Sequence, residues 1–261
     1  MSSSSQTEEQ AMASPDMDIR PPHKVLRALT ARQERRLINF LEDKFLELTR
    51  GYKKRSEPTT HLPTLPLYLE AAQKILAMVL QIPPVDPSTS LRTAYLLRLT
   101  NDVLASVPGY PADGSNIPIL LDWLDDLDQA WLMILQAQVW DPENGPADLV
   151  IDAEDAATGT RSSPVTQTER TRLRSLLIGG SATLEEWLAG AAPPPPDTIH
   201  EEDEDEDADD AGPLNDVQDM LEELGVQDGF NELFWRTLQE LGLGGDFVLP
   251  SDESVTEVSM N

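Results

Sequence analysis

The residues best suited to chemistry are the aspartates of LLDWLDDLDQ, Leu120–Gln129. Asp122, Asp125 and Asp126 are three and four residues apart, which places them on one face of a helix. Paired carboxylates could bind a metal ion or transfer protons, but carboxylate-bridged metal bundles also use Glu-x-x-His motifs, and no histidine lies near this segment. We therefore expect a solvated acidic face, or an acidic patch that meets the basic residues of Arg50–Arg55 or of a partner.

The three histidines, His23, His61 and His200, give no stronger indication of catalysis. All three fall in predicted loops, and none has a partner at HExxH-like spacing. The chain has no GxxxxGK[ST], no GxGxxG, no GxSxG and no cysteine. The sequence thus predicts no catalytic residue, no metal ligand and no cofactor, while an enzyme with an unrecognised site in a helical core stays an alternative.

Four segments with apolar residues at helical spacing must position these groups. Thr30 and Gln33 form a capping box for the first, Gly51 is placed to end it, and Asp86-Pro87 is placed to open the third. The aspartates of the fourth segment, Asp128 included, lie largely off its broad apolar stripe. The predicted helices are 31–50, 65–81, 87–106 and 117–140. Short Pro, Gly and Asp connections between them favour an antiparallel, all-α bundle-like domain.

Two further capping boxes, Thr166–Glu169 and Thr183–Glu186, predict short helices over 167–178 and 184–188. Gly179-Gly180 would separate them, and both would pack on the bundle. The predicted organisation is a disordered segment at 1–24, a bundle at 25–140, a linker at 141–165, short helices at 166–189, a Pro-rich acidic linker at 190–213, amphipathic helices at 214–242 and a disordered tail at 243–261.

The net charge of −28 is unevenly distributed. From Gly190 onwards there are 21 acidic residues and one basic residue, Arg236, whereas Arg20–Leu62 holds 11 basic and 5 acidic residues. Such acidity disfavours direct contact with nucleic acid or anionic lipid and favours basic partners. Met1–Ile19 lacks the apolar core of a signal peptide, and no apolar run approaches the roughly 20 residues that cross a bilayer. We expect a protein of the cytoplasm or nucleus.

Two short segments are candidate protein-binding sites. GFNELFWRTLQELGL, Gly229–Leu243, is amphipathic and too short for a stable isolated helix. It could pack on its own domain or enter a partner's groove, and its predicted partner-binding residues are Phe230, Leu233, Phe234, Trp235 and Leu238. RGYKKR supplies the predicted electrostatic docking residues Arg50, Lys53, Lys54 and Arg55.

The acidic run EEDEDEDADD, Glu201–Asp210, has three interpretations. It could be a solvated spacer, a mask for the basic region Arg20–Arg55, or a means of capturing basic proteins such as histones. Taken together, the sequence predicts a non-catalytic adaptor or subunit of a multiprotein complex that binds other proteins, with basic proteins as one class of partner. An acidic chaperone for basic proteins is the alternative within the class of binding proteins.

Overall fold

The helices and one small hairpin follow each other along the chain in the computed structural model, which describes residues 27–141, 145–151, 153–190, 229 and 232–243. The elements are α1 (Ala31–Lys53), α2 (Leu65–Leu80), α3 (Ser88–Ser106) with a 3-10 turn (Val107–Gly109), α4 (Ile117–Leu135), the antiparallel strands β1 (Val139–Asp141) and β2 (Gly145–Ala147), α5 (Ala153–Ala157), α6 (Gln167–Ala189), α7 (Trp235–Leu238) and a π-helical turn (Gln239–Leu243). The predicted all-α bundle-like fold is confirmed for this part of the chain.

One apolar core joins these helices. Helix α2 packs between α1, α3 and α4, and α6 lies against α3. Trp131 is fully buried at the centre, where its indole nitrogen donates to the Thr100 hydroxyl at 2.9 Å. The bonded indole therefore contributes apolar burial without leaving an unpaired polar atom in the core.

The start of α1 follows the prediction, and its end does not. Thr30 and Gln33 form the capping box, and Leu41, Phe45 and Leu48 bury the apolar face. Gly51 lies inside the helix instead of ending it. Leu62 packs so closely on this position that a Cβ at Gly51 would stand 2.5 Å from the Leu62 Cδ1 atom. The glycine serves a close contact between segments rather than a left-handed terminus.

Helix α3 begins at Ser88, and Asp86 does not cap it with its side chain. The Asp86 carboxylate instead accepts hydrogen bonds from the Ser163 hydroxyl at 2.5 Å and the Ser163 amide at 3.3 Å. The Asp86 amide donates to the Arg161 carbonyl at 2.8 Å. The hydrogen bonds from Ser163 to the Asp86 carboxylate hold the pKa of Asp86 below its usual value, with the Ser163 hydroxyl as the largest cause. The segment predicted as a linker thus carries the hairpin, α5 and a polar connection to α3.

Helix α6 is one continuous helix of 23 residues, where the sequence predicted two short ones. Thr166 and Glu169 form the predicted capping box. Thr183 caps no second helix, because its hydroxyl donates to the Gly179 carbonyl one turn earlier. The two glycines differ in surroundings: a Cβ at Gly180 would lie 2.5 Å from the Leu104 Cδ1 atom, whereas Gly179 has no such neighbour within 4 Å. Gly180 therefore allows α6 to approach α3.

This contrast gives a matched pair of substitutions. We expect Gly179→Ala to raise the free energy of unfolding by up to about 1 kcal/mol, because alanine favours an exposed helix interior. Gly180→Ala should raise it less or lower it, since Leu104 must shift to accommodate the new methyl group. Urea unfolding followed by circular dichroism measures both. Equal stabilisation by the two substitutions would show that α6 does not pack closely on α3 at Gly180.

The last described segment departs from the predicted helix over 231–241. Glu232–Phe234 form a turn, α7 has only four residues, and Phe234 is left-handed with φ of 58°. The π-helical turn then ends near Gly242, where φ is 85°. The predicted helix at 214–224 and the segments predicted as disordered lie outside the described residues, apart from single residues at their edges. Among the helices that the structure does describe, none combines the length and apolar character that crossing a membrane requires.

Candidate protein-interaction surfaces

The C-terminal segment 232–243 packs on the helical domain of its own chain. Phe234 is 1% exposed and belongs to the main core, with Leu241 also buried. Leu233 and Leu238 lie partly buried against the same core. The sequence left open whether this segment packs on its own domain, and the structure shows that these residues do so.

A buried aspartate on α4 holds this segment in place. Asp128 is 2% exposed, and its carboxylate accepts from the Thr237 amide and from the Arg236 Nε atom, each at 3.0 Å. The Asp128 carbonyl accepts from the Thr237 hydroxyl at 3.1 Å. Arg236 also pairs with Asp125. Burial raises the pKa of Asp128, and the hydrogen bonds from Thr237 oppose that rise.

These contacts distinguish Asp128 from Asp122, Asp125 and Asp126, the three aspartates for which the sequence predicted a solvated face. Those three are exposed, but Asp128 is part of the interior. Asp126 accepts from the Gln73 side-chain amide of α2 at 2.9 Å. The cation that Asp125 and Asp128 bind is Arg236, not a residue of the Arg50–Arg55 cluster.

Helix α6 binds the other end of the C-terminal segment. Arg174 donates to the Leu241 carbonyl at 2.5 Å, and Arg170 donates to the Glu240 carbonyl at 3.5 Å. Two arginines at these carbonyls also suit the partial negative charge where a helical segment ends. The segment is therefore fixed to α4 by Asp128 and to α6 by two arginines.

The five residues predicted to bind a partner have different positions in this arrangement. Phe234 is buried, Leu233 and Leu238 are partly covered, and Trp235 is 49% exposed. Phe230 lies outside the described residues. Binding of a partner by these residues stays a prediction, and in this conformation Trp235 presents the largest open apolar surface among the four that are described.

The predicted docking cluster also divides into two groups. Arg50 and Lys53 are exposed, and Lys54 forms a surface ion pair with Glu57 at 3.3 Å. Arg55 instead donates to the Gly109 carbonyl at 2.7 Å, and its guanidinium carbon lies 4.4 Å from the centroid of the Tyr52 ring. Arg55 thus joins the end of α1 to the turn after α3, and a docking role for the cluster rests on its three exposed members.

Tyr52, Tyr68 and Tyr110 form an aromatic cluster beside Arg55, with ring centroids 5.7 to 6.0 Å apart. Burial raises the pKa of Tyr110 to about 12 and lifts that of Tyr68 well above its ordinary value. Tyr95, which donates to Glu42 at 3.1 Å, has its pKa raised to about 12 by burial and by this carboxylate.

A pH dependence follows from these tyrosines. In the unfolded chain they lose their protons near pH 10, whereas the folded chain keeps those of Tyr95 and Tyr110 until about pH 12. Stability that is complete below pH 10 should therefore fall as the pH rises through this window. Denaturant unfolding at several alkaline pH values, with tyrosinate absorbance as a second signal, measures the loss. Tyr95→Phe should lose less stability over the same window, and an equal loss in both proteins would contradict the assignment.

A second surface is a groove of about 710 Å³ between α1 and α2. Leu48, Ile75 and Met78 contribute to its apolar lining, and His61 lies at its edge in the loop before α2. No pattern in the sequence predicted this groove, because it arises only where two helices that were predicted separately meet. His23 and His200 lie outside the described residues, and the described part holds no cluster of three or more His, Cys, Asp or Glu residues that could bind a metal ion.

Comparison with known proteins identifies a family. The model of the TFB6 family, described as subunit 11 of the general transcription factor TFIIH, matches residues 70–242. No curated protein and no solved structure matches the chain. The matched range begins in α2 and ends in the π-helical turn, so it includes α4, α6 and the C-terminal segment that these helices hold, and it leaves out α1.

Proposed function

Because this chain belongs to the TFB6 family, we propose that it is a non-catalytic subunit of TFIIH that contributes protein contacts. The family match over residues 70–242 carries the proposal. It implies that the chain works in the nucleus, which is one of the two locations that the sequence predicted.

The arrangement of the helical domain supports an adaptor role. The C-terminal segment is held on the domain by Asp128, so Trp235 is presented from a fixed position rather than from a loose tail. Leu121 and Glu232 line a small cavity of about 230 Å³ next to Trp235. Exposed aromatic residues beside a cavity are frequent anchors in protein interfaces, because they bury a large area at a small entropic cost. We propose this Trp235 surface as one contact with other TFIIH subunits.

Purification from nuclear extract tests the proposed function. The full-length chain carries an affinity tag, and its partners are identified by quantitative mass spectrometry at low salt and at about 0.5 M salt, where exposed ion pairs are strongly screened. We expect TFIIH subunits in fixed ratio at both salt concentrations. Trp235→Ala should reduce their recovery, whereas Val150→Ala, which removes apolar surface at an exposed position away from this cavity, should not.

A third variant of this chain distinguishes a function as an acidic chaperone from a function as a complex subunit. In it the acidic residues of Glu201–Asp210 are replaced by Asn and Gln, which keeps the length of the segment and removes its charge. Recovery of TFIIH should be unchanged. Recovery of histones or other basic proteins in place of TFIIH, lost at high salt and lost with this variant, would support the chaperone and contradict the subunit proposal.

A further inference from the structure

The groove between α1 and α2 has the shape of a binding site for a helix. Its α1 wall runs from Phe40 to Gly51, which at 1.5 Å per residue is about 17 Å. The α2 wall runs from Ala71 to Met78. Phe40 is 42% exposed at one end of the groove, although it is a large apolar side chain. An elongated apolar groove along two helices is the type of surface that accepts the apolar face of an amphipathic helix.

The rim of the groove is basic on a strongly acidic protein. Lys44, Arg50, Lys54 and Lys74 line it, and Glu47 is the one carboxylate among the described lining residues. The whole chain has a net charge of −28. Positive charge around an apolar floor attracts a partner that carries acidic residues beside its apolar ones. It also disfavours a basic helix, such as one from a histone.

The rim lysines can exchange their present partners at little cost. Lys44 pairs with Glu47 at 2.7 Å, and Lys74 pairs with Glu70 at 2.8 Å, both within one helix and both exposed. Ion pairs of this kind contribute little to stability, because water screens them and the long side chains must be ordered. A carboxylate from a docked helix could therefore replace Glu47 or Glu70 without unfolding any element.

From these observations we propose that the α1–α2 groove binds an acidic amphipathic helix of another protein in the complex. The apolar residues of that helix would contact Leu48, Ile75 and Met78, and its carboxylates would face Lys44 and Lys74. The proposal rests on the proposed function for its partner class. It goes beyond the family match, because the α1 wall lies outside the matched residues 70–242.

A nucleic-acid phosphate or a free anion would not explain the groove. Such ligands bind through hydrogen bonds and charge, and they do not need an apolar floor that includes Leu48, Ile75 and Met78. The basic rim is also short, with four cations, and it lies on a chain whose overall charge repels nucleic acid.

A designed peptide tests the groove without knowledge of the natural partner. The probe is a fluorescent peptide of about sixteen residues with leucine at i, i+3, i+4 and i+7 and mainly glutamate elsewhere. Fluorescence anisotropy measures its binding to the full-length chain. We expect saturable binding that weakens as salt is added. A peptide with glutamine in place of each glutamate, which keeps the apolar residues and removes the charge, should bind at least about tenfold more weakly.

Two double variants locate the binding. The double variant Lys44→Glu with Lys74→Glu should weaken binding of the peptide at least about tenfold. Arg32→Glu with Arg36→Glu changes the net charge equally at exposed positions of α1 that do not line the groove, and it should have little effect. Ala71→Trp, which places a large side chain in the groove, should block the peptide. Circular dichroism confirms that each variant is folded.

Three outcomes would overturn the proposal: no saturable binding, equal loss with both double variants, or binding that Ala71→Trp does not affect. The chain's own acidic segments are the competing occupant. If neutralising the acidic residues of 201–224 raised the affinity for the peptide tenfold or more, the groove would be occupied by the chain's own acidic segment rather than by a partner. If the full-length chain bound the peptide as expected but recovered no TFIIH subunits from nuclear extract, the proposed function would be contradicted and the groove assignment would remain intact.

Discussion

Replacing Arg92 with alanine is expected to lower the free energy of unfolding by about 3 to 5 kcal/mol. Arg92 lies on α3 with 1% of its surface exposed. Its guanidinium donates to the Gln138 carbonyl at 2.8 Å and to the Leu80 carbonyl at 3.4 Å. Leu80 is the last residue of α2, so its carbonyl has no partner in its own helix. Alanine would leave two carbonyls unpaired and a cavity where the long side chain lay.

Methionine at the same position separates these effects. Burial without an ion pair lowers the pKa of Arg92 to about 10, so the charged form is already disfavoured in the interior. Arg92→Met fills much of the volume and removes the buried charge, and it should cost only about 1 to 2 kcal/mol. Guanidinium chloride unfolding followed by circular dichroism measures each difference. Arg172→Ala, at an exposed position of α6, should change the free energy of unfolding by less than about 0.5 kcal/mol.

The order of these three variants decides the interpretation. If Arg92→Met were as damaging as Arg92→Ala, the hydrogen bonds to Gln138 and Leu80 would account for the whole effect. If Arg92→Ala cost less than about 1 kcal/mol, the buried arginine would not be what joins the end of α2 to the turn after α4.

Replacing Asp128 with alanine should release residues 232–243 while the rest of the domain stays folded. The variant would leave the Thr237 amide without its acceptor and Arg236 without its buried partner. Loss of hydrogen bonds to a buried charge costs about 3 kcal/mol, which corresponds to about a hundredfold more frequent opening of this segment. Hydrogen exchange measured by mass spectrometry should show faster exchange in the peptide that covers 232–243 and unchanged exchange in α3.

Two further variants on the same helix serve as controls. Asp128→Asn keeps an oxygen for the Thr237 amide but removes the charge that faces Arg236, so an intermediate effect is expected. Asp122→Ala removes an exposed carboxylate with no described contact to the C-terminal segment, and exchange there should stay at the wild-type rate. Similar exchange in all three variants would mean that the apolar packing of Phe234 and Leu241 and the arginines of α6, and not the Asp128 hydrogen bonds, hold the segment.

Of the three capping boxes that local signals in the sequence predicted, two are present, and the third, at Thr183, lies inside the continuous α6. The capping boxes at Thr30 and Thr166 were predicted at the correct residues, because each involves a side chain and an amide three residues away. Gly51 and Gly180 were misinterpreted as helix ends because folding alone brings up the side chains that approach them, Leu62 from the loop before α2 and Leu104 from α3. Glycine permits a terminus and a close contact equally well, and only the folded chain distinguishes them.

The candidate sites show the same limit. The sequence placed Asp128 largely off the apolar stripe of α4, and that stripe does face the core. It could not show that a second segment, more than a hundred residues later, would cover the other side of the helix. The basic residues of Arg50–Arg55 were predicted as a candidate docking cluster, whereas the apolar floor beside some of them depends on the packing of α1 against α2.

The anchoring of Thr237 to Asp128 has a topological consequence for the chain. Gly190 caps the end of helix α6, and the segment from Glu232 is fixed to α4 and α6. The polypeptide between these two points is therefore attached to the same domain at both of its ends. A single proteolytic cut in that stretch would turn an intramolecular contact into a bimolecular one. The two fragments would then remain together only above a concentration set by their own dissociation constant. Dilution of the cleaved protein would therefore separate the C-terminal segment from the helical domain, whereas the continuous chain keeps the two together at any concentration.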